Sequence, residues 1–310
     1  MNLRKTLIGL LFIALPAAAL AQGSEMLSLD NATQTLNADF KQPPTWRTGA
    51  QQPDAAMKPL SDASFSWAAG YLWNHAMVGT PQLWPLPKSD FPAWTSNTTA
   101  DADPNGDMIA KISKDESPLT WSGTLNFTAH KMPDDLVATI PKIDPHGYMG
   151  ASINSFPYAQ LYGVFAISAK LPKGKGVWPA FWLLPFDKSW PPEIDVFELL
   201  GKDPSIIYTT LHVKGPSISK TVDTHVDLSK DFHEYTVDWG PQQIKWYLDG
   251  KQIFAAPTPE ELHKPCYILA NIGVGKDDDV WGGGPDATTV FPATMQVKYI
   301  RAWQRKSYEP

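Results

Sequence analysis

Hydrophobic and polar residues alternate with a period of two in many short segments of the chain. This alternation is typical of β-strands that bury one face. The dipeptide Asp249-Gly250 separates two such segments and predicts a tight hairpin turn. No long segment keeps the 3.6-residue period of an amphipathic helix. We therefore predict an all-β sandwich or barrel without internal repeats. The predicted strands are Thr124–Ala129, Tyr162–Leu171, Trp178–Leu184, Glu193–Leu200, Ile207–Val213, Tyr235–Trp239, Ile244–Leu248, Gln252–Phe254, Tyr267–Val274 and Met295–Gln304.

The first 21 residues have the three parts of a secretory signal. Arg4 and Lys5 form a positive start, Leu7–Leu15 is apolar, and Ala19–Ala21 is a small-residue cleavage pattern. The apolar stretch is too short to span a bilayer, and Pro16 interrupts it. We predict a signal peptide over 1–21, a secreted or periplasmic protein, and no membrane attachment after cleavage.

The remaining chain predicts one domain. Residues 22–35 are small and polar, and we expect a flexible tail there, followed by a single domain over 36–310. Within that domain, 41–118 is rich in proline and tryptophan and predicts an expanded loop region. The run Asp101–Asp107 has the composition of a turn. It is also rich in oxygen ligands, but it lacks the full spacing of an EF-hand calcium loop.

Charge and composition narrow the function. Loss of the signal changes the formal net charge from −6 to −8, which argues against a nucleic-acid partner. Cys266 is the only cysteine, so no intrachain disulfide can form, and its apolar neighbours predict a buried thiol that is not a nucleophile. The chain has 13 Trp, 10 Tyr and 13 Phe, more than a core alone requires, and aromatic rings can stack on sugar rings.

Three acidic residues lie within one predicted strand. Because side chains alternate between the faces of a strand, Glu193 and Asp195 share one face. Glu198 is five residues from Glu193, and in a regular strand this odd separation would bury its carboxylate in the core at a high cost. A β-bulge at Val196–Phe197 adds one residue and returns Glu198 to the face of Glu193. We therefore predict a bulge at that point.

Such a face suits glycoside hydrolysis. A retaining mechanism needs two carboxyl groups about 5–5.5 Å apart. The charge of Asp195, or a proton that it shares, would separate the pKa values of the two glutamates. The alternative is a solvated acidic strand face, but three like charges on one face repel one another and offer no benefit to stability.

Two motifs include the acidic strand and the segment before it. Gly176–Pro185 reads GVWPAFWLLP, and Trp190–Glu198 reads WPPEIDVFE. Together they resemble glycoside hydrolase family 16, in the branch that has an E-x-D-x-x-E pattern and a β-bulge. Further similarity covers Tyr162–Gly174, Phe232–Trp239 with Trp246–Gly250, and Phe291–Trp303. The resemblance extends over about Leu119 to Trp303, and Leu36–Thr120 departs from it most.

The resemblance implies a concanavalin-like β-jelly-roll sandwich with an open concave cleft. It implies Glu193 as nucleophile, Asp195 as its electrostatic helper and Glu198 as general acid/base. The implied activity is that of a laminarinase-like or licheninase-like enzyme, or of an exopolysaccharide endo-glycanase, attacking internal β-linkages. It requires no cofactor for the chemistry and no catalytic metal. Some members carry a structural calcium away from the cleft.

Further candidates for substrate binding surround the three acids. Trp178 and Trp182 lie four residues apart on one strand face, which the resemblance places in the cleft, although either ring could instead pack in the core. Trp190 precedes the acidic strand. His212 lies on the neighbouring strand and could bind a sugar hydroxyl or be structural. The last two candidates are Asn271 and Trp281.

The leading hypothesis is a hydrolase of β-1,3-glucan, mixed β-1,3/1,4-glucan or a bacterial exopolysaccharide. We expect it to act as a monomer whose partner is the polysaccharide. A transglycosylase with the same carboxylates is the first alternative. A non-catalytic carbohydrate-binding protein and a polysaccharide lyase of sandwich fold are the others. The histidines show no metal-ligand spacing, and no nucleotide-binding or G-x-S-x-G motif is present.

Overall fold

A computed structural model describes residues 25–42, 44, 67–69, 119–131, 147–275 and 281–308. The predicted signal peptide, most of the 41–118 region with its Asp101–Asp107 run, and residues 277–280 before Trp281 lie outside these ranges. Sixteen strands are formed by the described residues, and most predicted strands are confirmed within one or two residues. In chain order they are β1 (Ala32–Asp39), β2 (Ala68–Ala69), β3 (Leu119–Trp121), β4 (Leu125–Lys131), β5 (Tyr148–Met149), β6 (Ala151–Asn154), β7 (Gly163–Lys170), β8 (Val177–Pro185), β9 (Glu193–Leu199), β10 (Ile206–His212), β11 (Ile218–Asp223), β12 (His233–Trp239), β13 (Gln243–Leu248), β14 (Lys251–Pro257), β15 (Cys266–Val274) and β16 (Ala293–Arg305).

The strands form two antiparallel sheets, as in a jelly-roll sandwich. One sheet has the order β14-β13-β12-β7-β16-β4-β3, with β1 also paired to β16 and β5 to β4. The other has the order β11-β10-β9-β8-β15-β6-β2 and contains the acidic strand at its third position. Within the described ranges, helical structure is limited to the short 3-10 turns Glu260–Leu262 and Lys306–Tyr308, and no helix there is long and apolar enough to cross a membrane.

The main core lies between the two sheets, and strand alternation decides which residues enter it. On β8, Phe181 and Leu183 face the other sheet and are fully buried. On β15, Ile268 and Ile272 do the same, as does Cys266, whose predicted burial is confirmed. Their neighbours in the sequence point to the opposite side of the seven-stranded sheet, which we call the acid face because Glu193, Asp195 and Glu198 belong to it.

A second, smaller apolar cluster covers part of the acid face. It contains Trp182 and Leu184 of β8, Tyr267 and Leu269 of β15, and Phe156 from the loop after β6. Phe156 stacks on Phe186, with ring centroids 4.7 Å apart. The acid face is therefore apolar and filled around β8 and β15 at this point.

The predicted tail over 22–35 is wrong for its last residues, which belong to β1. That strand pairs with β16 from Ala32 opposite Arg305 to Asp39 opposite Tyr299. β4 pairs with β16 only as far as Val297, and β1 pairs with the part of β16 that follows. β1 therefore satisfies backbone groups of β16 that would otherwise form an open edge. Only Leu36 of β1 is fully buried, which is why its hydrophobic pattern was too weak to predict a strand.

Candidate active site

A β-bulge in β9 places all three acids on the acid face. Asp195 lies opposite Trp182 of β8, whereas Phe197 lies opposite Phe181, so Val196 is the additional residue. The pairing of β9 with β10 is irregular at the same residues. Val196 and Phe197 both pack in the main core. The bulge predicted from the spacing of the acids is therefore confirmed.

The opposite sheet supports the bulge. Trp246 of β13 is fully buried, and its indole N–H crosses the core to donate to the backbone carbonyl of Asp195 at 2.8 Å. A bulge interrupts the regular ladder of backbone hydrogen bonds, and a buried carbonyl requires a donor. Trp246 thus stabilises the irregular backbone on which the carboxylates depend.

Glu198 is held by aromatic residues at one end of the bulge. The indole N–H of Trp178 donates to Glu198 Oε1 at 3.1 Å. The Trp178 ring packs edge-on against Trp281, at 5.1 Å between centroids, and Trp281 packs in the same way against Tyr208 at 4.7 Å. Trp281 remains 47% exposed, so this aromatic group retains a free surface beside Glu198.

Glu193 is held in a similar way at the other end. The indole N–H of Trp190 donates to Glu193 Oε2 at 2.8 Å, although Trp190 is 66% exposed. His212 Nε2 lies 3.9 Å from Glu193 Oε1 and 3.1 Å from Asp195 Oδ2. The other ring nitrogen of His212 lies 3.2 Å from Ser217 Oγ. His212 therefore contacts the carboxyl groups directly.

The buried position of the acids raises their pKa values. Burial, followed by the charge of Asp195, raises the pKa of Glu193 well above its ordinary value, against the influence of His212 and the Trp190 indole. Burial and the charge of Glu198 raise the pKa of Asp195. Burial and the charge of Glu193 raise the pKa of Glu198 to about 7, against the influence of Trp178. Three neighbouring carboxyl groups with raised pKa values do not all ionise together, and a carboxyl group that keeps its proton is what general acid catalysis requires.

Two predicted substrate-binding residues contact each other. The indole N–H of Trp182 donates to Asn271 Oδ1 at 2.8 Å. Both residues lie on the acid face but are buried. They offer little surface to a ligand in this arrangement, and Trp182 belongs to the smaller apolar cluster. Their role in substrate binding stays a prediction.

Within the described ranges, one group of three side chains could hold a cation. It consists of Glu193, Asp195 and His212, whose nearest ligand atoms all lie within 4.8 Å of one another. These are the side chains whose geometry suits carboxylate chemistry. We therefore assign no metal to them.

The comparisons with known proteins agree with this geometry. The family described as Glycosyl hydrolases family 16 matches residues 109–300, more than half of the chain. The chain belongs to glycosyl hydrolase family 16. Within this family, the chain is 36% identical over 184 residues to Endo-1,3-1,4-beta-glycanase ExsH of Rhizobium meliloti (strain 1021), an alignment that covers 59% of this chain and 38% of that protein. It is 30% identical over 275 residues to Glucan endo-1,3-beta-glucosidase A1 of Niallia circulans, covering 80% of this chain and 36% of that protein. The family 16 chain thus spans less than two fifths of the length of these curated relatives.

Solved structures show the same fold. The laminarinase catalytic domain from Thermotoga maritima MSB8 is 31% identical, with a TM-score of 0.53 over 60% of this chain and 80% of that one. SCLam, described as a non-specific endo-beta-1,3(4)-glucanase, has a TM-score of 0.61 over 92% of this family 16 chain and 96% of its own. Its identity of 22% supports the fold alone.

Three residues of the site were not among the predicted candidates. Tyr208 shares the acid face with His212 by strand alternation, and the same parity could have predicted it. Ser217 and Trp246 carried no such signal. Ser217 lies in a loop, and Trp246 comes from the other sheet, so only the packing of the sheets brings it to Asp195.

Proposed function

We propose that the chain is a retaining endo-β-glycanase that hydrolyses internal β-1,3 or mixed β-1,3/1,4 bonds of a polysaccharide. One observation supports this most. Glu193 and Glu198 lie on one face of a bulged strand, each accepts a hydrogen bond from a tryptophan indole, and Asp195 lies between them. Two carboxyl groups that share a cleft face and differ in environment are what retaining hydrolysis requires.

Glu198 acts as the general acid. With a pKa raised to about 7, it carries a proton over much of the neutral range and can give it to the leaving oxygen. Trp178 supports both forms of this residue, because its indole fixes the carboxyl group and stabilises the carboxylate that remains after proton transfer.

Glu193 acts as the nucleophile, and for that it must be ionised. Two buried carboxyl groups in contact do not both ionise readily, and burial raises the pKa of both Glu193 and Asp195. The hydrogen bond between the two carboxyl groups raises the pKa of Glu193 and lowers that of Asp195, whereas His212 and the indole N–H of Trp190 favour negative charge on Glu193. For Glu193 to react as the nucleophile, the shared proton must lie on Asp195, which is almost fully buried.

The reaction proceeds in two displacements. In the first, a Glu193 oxygen bonds to the anomeric carbon while the glycosidic C–O bond breaks and Glu198 protonates the departing oxygen. In the second, water attacks the same carbon, Glu198 takes a proton from that water, and the ester to Glu193 breaks. The configuration at the anomeric carbon is retained, and both carboxyl groups return to their initial state.

The substrate is proposed from the names of the relatives and from the charge of the site. Two relatives are named for 1,3-1,4-β-glycanase and endo-1,3-β-glucosidase activity. The three acids on the acid face would repel an anionic sugar at the reacting position. A neutral β-1,3 or mixed-linkage glucan therefore fits the site better than an anionic exopolysaccharide.

The test is turnover of a panel of β-glucans by the parent, by Glu193→Ala and by the control Glu260→Ala, whose carboxylate is 97% exposed. We expect the parent and the control to release oligosaccharides in which NMR detects the β-anomer first, and Glu193→Ala to lose turnover while it keeps a cooperative thermal unfolding transition. Activity of Glu193→Ala near that of the parent would refute the assigned role. Products longer than the substrate, detected by mass spectrometry, would instead favour glycosyl transfer.

Secretion is a separate part of the proposal. It is supported by the charged start, apolar stretch and small-residue cleavage pattern of residues 1–21. N-terminal sequencing of the protein from the medium and from the periplasm should give Gln22 as the first residue. A full-length N-terminus in the cytoplasmic fraction alone would contradict secretion.

A further inference from the structure

The connection between β14 and β15 contacts two other loops. One of these loops leads to Trp190 and the other follows His212, and both of these side chains lie close to a Glu193 carboxylate oxygen. The connection covers 258–265 and includes the 3-10 turn Glu260–Leu262. Two of its side chains make these contacts, Glu261 and Lys264. Neither of them was predicted as part of the site, and neither touches a carboxyl group of β9.

Lys264 binds the loop that presents Trp190. Its Nζ donates to Asp187 Oδ2 at 2.9 Å and to Ser189 Oγ at 3.1 Å. Asp187 Oδ1 in turn accepts hydrogen bonds from both the hydroxyl and the amide of Ser189. Burial alone would raise the pKa of Asp187, but Ser189 and Lys264 together hold it below its ordinary value. The three side chains thus form one charged network directly before Trp190.

Glu261 binds the loop that follows His212. Its Oε1 accepts a hydrogen bond from the backbone amide of Lys214 at 2.8 Å. Lys214 lies two residues after His212, at the end of β10. The loop continues to Ser217, whose hydroxyl lies beside His212 Nδ1. Glu261 therefore fixes the backbone between His212 and Ser217, and Ser217 in turn contacts the His212 ring.

Trp190 in particular needs this external support. The Trp190 side chain is largely exposed and its ring lies 6.2 Å from that of His212, so few core contacts hold it in place. An exposed aromatic side chain on a loop has considerable conformational freedom unless its backbone is fixed. The hydrogen bond from Trp190 to Glu193 therefore depends on the position of this loop's backbone.

We infer that Glu261 and Lys264 form a brace that positions Trp190 and His212 against the Glu193–Asp195 pair. The brace residues are positioning residues and do not touch the substrate or the reacting atoms. A loss of position of less than 1 Å at a nucleophile is enough to lower a rate. This inference rests on the proposed function for its effect on turnover, but its structural part can be measured without a substrate.

The main test compares Lys264→Met with the matched control Lys245→Met. Lys245 makes a similar ion pair, 2.9 Å from Glu25 Oε1, with nearly the same exposure as Lys264 but on the other sheet. The indole N–H resonance of Trp190 is recorded by NMR in the full chain and assigned from its absence in Trp190→Phe. We expect this resonance to move upfield in Lys264→Met, as the bond to Glu193 weakens, and to stay unchanged in Lys245→Met.

Turnover of a glucan that the parent hydrolyses gives the second measurement. We expect kcat of Lys264→Met to fall by about two- to fivefold with a smaller change in KM, because a single exposed charge pair contributes little. Lys264→Arg should retain the parent rate. Glu261→Ala should give a similar loss, and the double variant a greater loss than either single variant, because the two side chains bind different loops.

The outcomes separate this inference from the proposed function. A parent without activity on any glucan would refute the proposed function and leave the NMR measurement to decide on the brace. An unchanged Trp190 resonance in Lys264→Met overturns the brace whatever the rates. A shifted resonance together with a kcat equal to that of Lys245→Met would also overturn it, because the loop would then move without effect on the reaction.

Discussion

Replacing Trp178 by phenylalanine removes one hydrogen bond from the proposed general acid. The Trp178 indole N–H donates to Glu198 Oε1 at 3.1 Å, and this contact lowers the pKa of Glu198 against the larger effects of burial and of the Glu193 charge. Phenylalanine keeps an aromatic ring in contact with Trp281 but has no donor. The pKa of Glu198 should therefore rise above its value of about 7.

The expected magnitude follows from the geometry. A hydrogen bond to a charged group contributes about 1.5–3 kcal/mol. The Trp178–Glu198 distance of 3.1 Å is longer than that of a strong charge-assisted bond, about 2.7–2.9 Å, and Glu198 retains some exposure to water. We therefore take about 1 kcal/mol, which corresponds to a pKa of Glu198 higher by about 0.7.

The assay is the pH dependence of kcat/KM on a soluble β-glucan, since this ratio reports the pKa values of the free enzyme. Glu198 must be protonated to act as an acid, so activity falls as the pH rises through its pKa. In Trp178→Phe, the alkaline limb should move upward by about 0.7 pH units. Trp182→Phe is the control, because its indole binds Asn271 and should leave the limb in place.

An alkaline limb that stays fixed in Trp178→Phe, or moves downward, would refute the reasoning. It would show either that Glu198 is not the acid or that Trp178 does not favour its charged form. A limb that moves equally in Trp182→Phe would refute it too, because the shift would then reflect a general change in the acid face.

Three further predictions concern the same strand. Burial raises the pKa of Glu198 to about 7 from an ordinary 4.5, so ionisation of Glu198 opposes folding as the pH rises through that interval. Glu198→Gln should therefore stabilise the protein at pH 8 by up to about 3 kcal/mol and have little effect at pH 4. Equal melting temperatures of this variant and the parent at pH 8 would contradict this. Deleting Val196 leaves a regular strand in which Glu193, Asp195 and Glu198 still share the acid face, so the deletion variant should keep turnover. Inserting one alanine between Val196 and Phe197 shifts Glu198 by one position toward the core and should abolish turnover, and activity of this insertion variant would contradict the role assigned to the bulge. Trp246→Phe leaves the backbone carbonyl of Asp195 without its indole donor and should lower the free energy of unfolding by about 2 kcal/mol in a urea titration. An unchanged urea midpoint would argue against the support of the bulge by Trp246.

The strand pattern and the acids were predictable because they depend on local periodicity. Alternation put Phe181 and Leu183 on the strand face opposite Trp178 and Trp182, and the structure shows that this face belongs to the main core. The odd separation of Glu193 and Glu198 predicted the bulge, because a regular strand would have buried a carboxylate. The strand β1 was missed, since its only fully buried residue is Leu36 and its pairing depends on the free edge of β16.

By itself, the sequence determined the class of fold, the strand that bears the acids and the bulge within it, because each of these follows from the two-residue period of a strand and the cost of burying charge. Only the tertiary structure decided how the acids are held. Trp246 reaches Asp195 from the opposite sheet, and Lys264 reaches the Trp190 loop from a connection more than 70 residues later. Contacts between residues so distant along the chain leave no periodic signal, because they depend on how the two sheets and their loops pack.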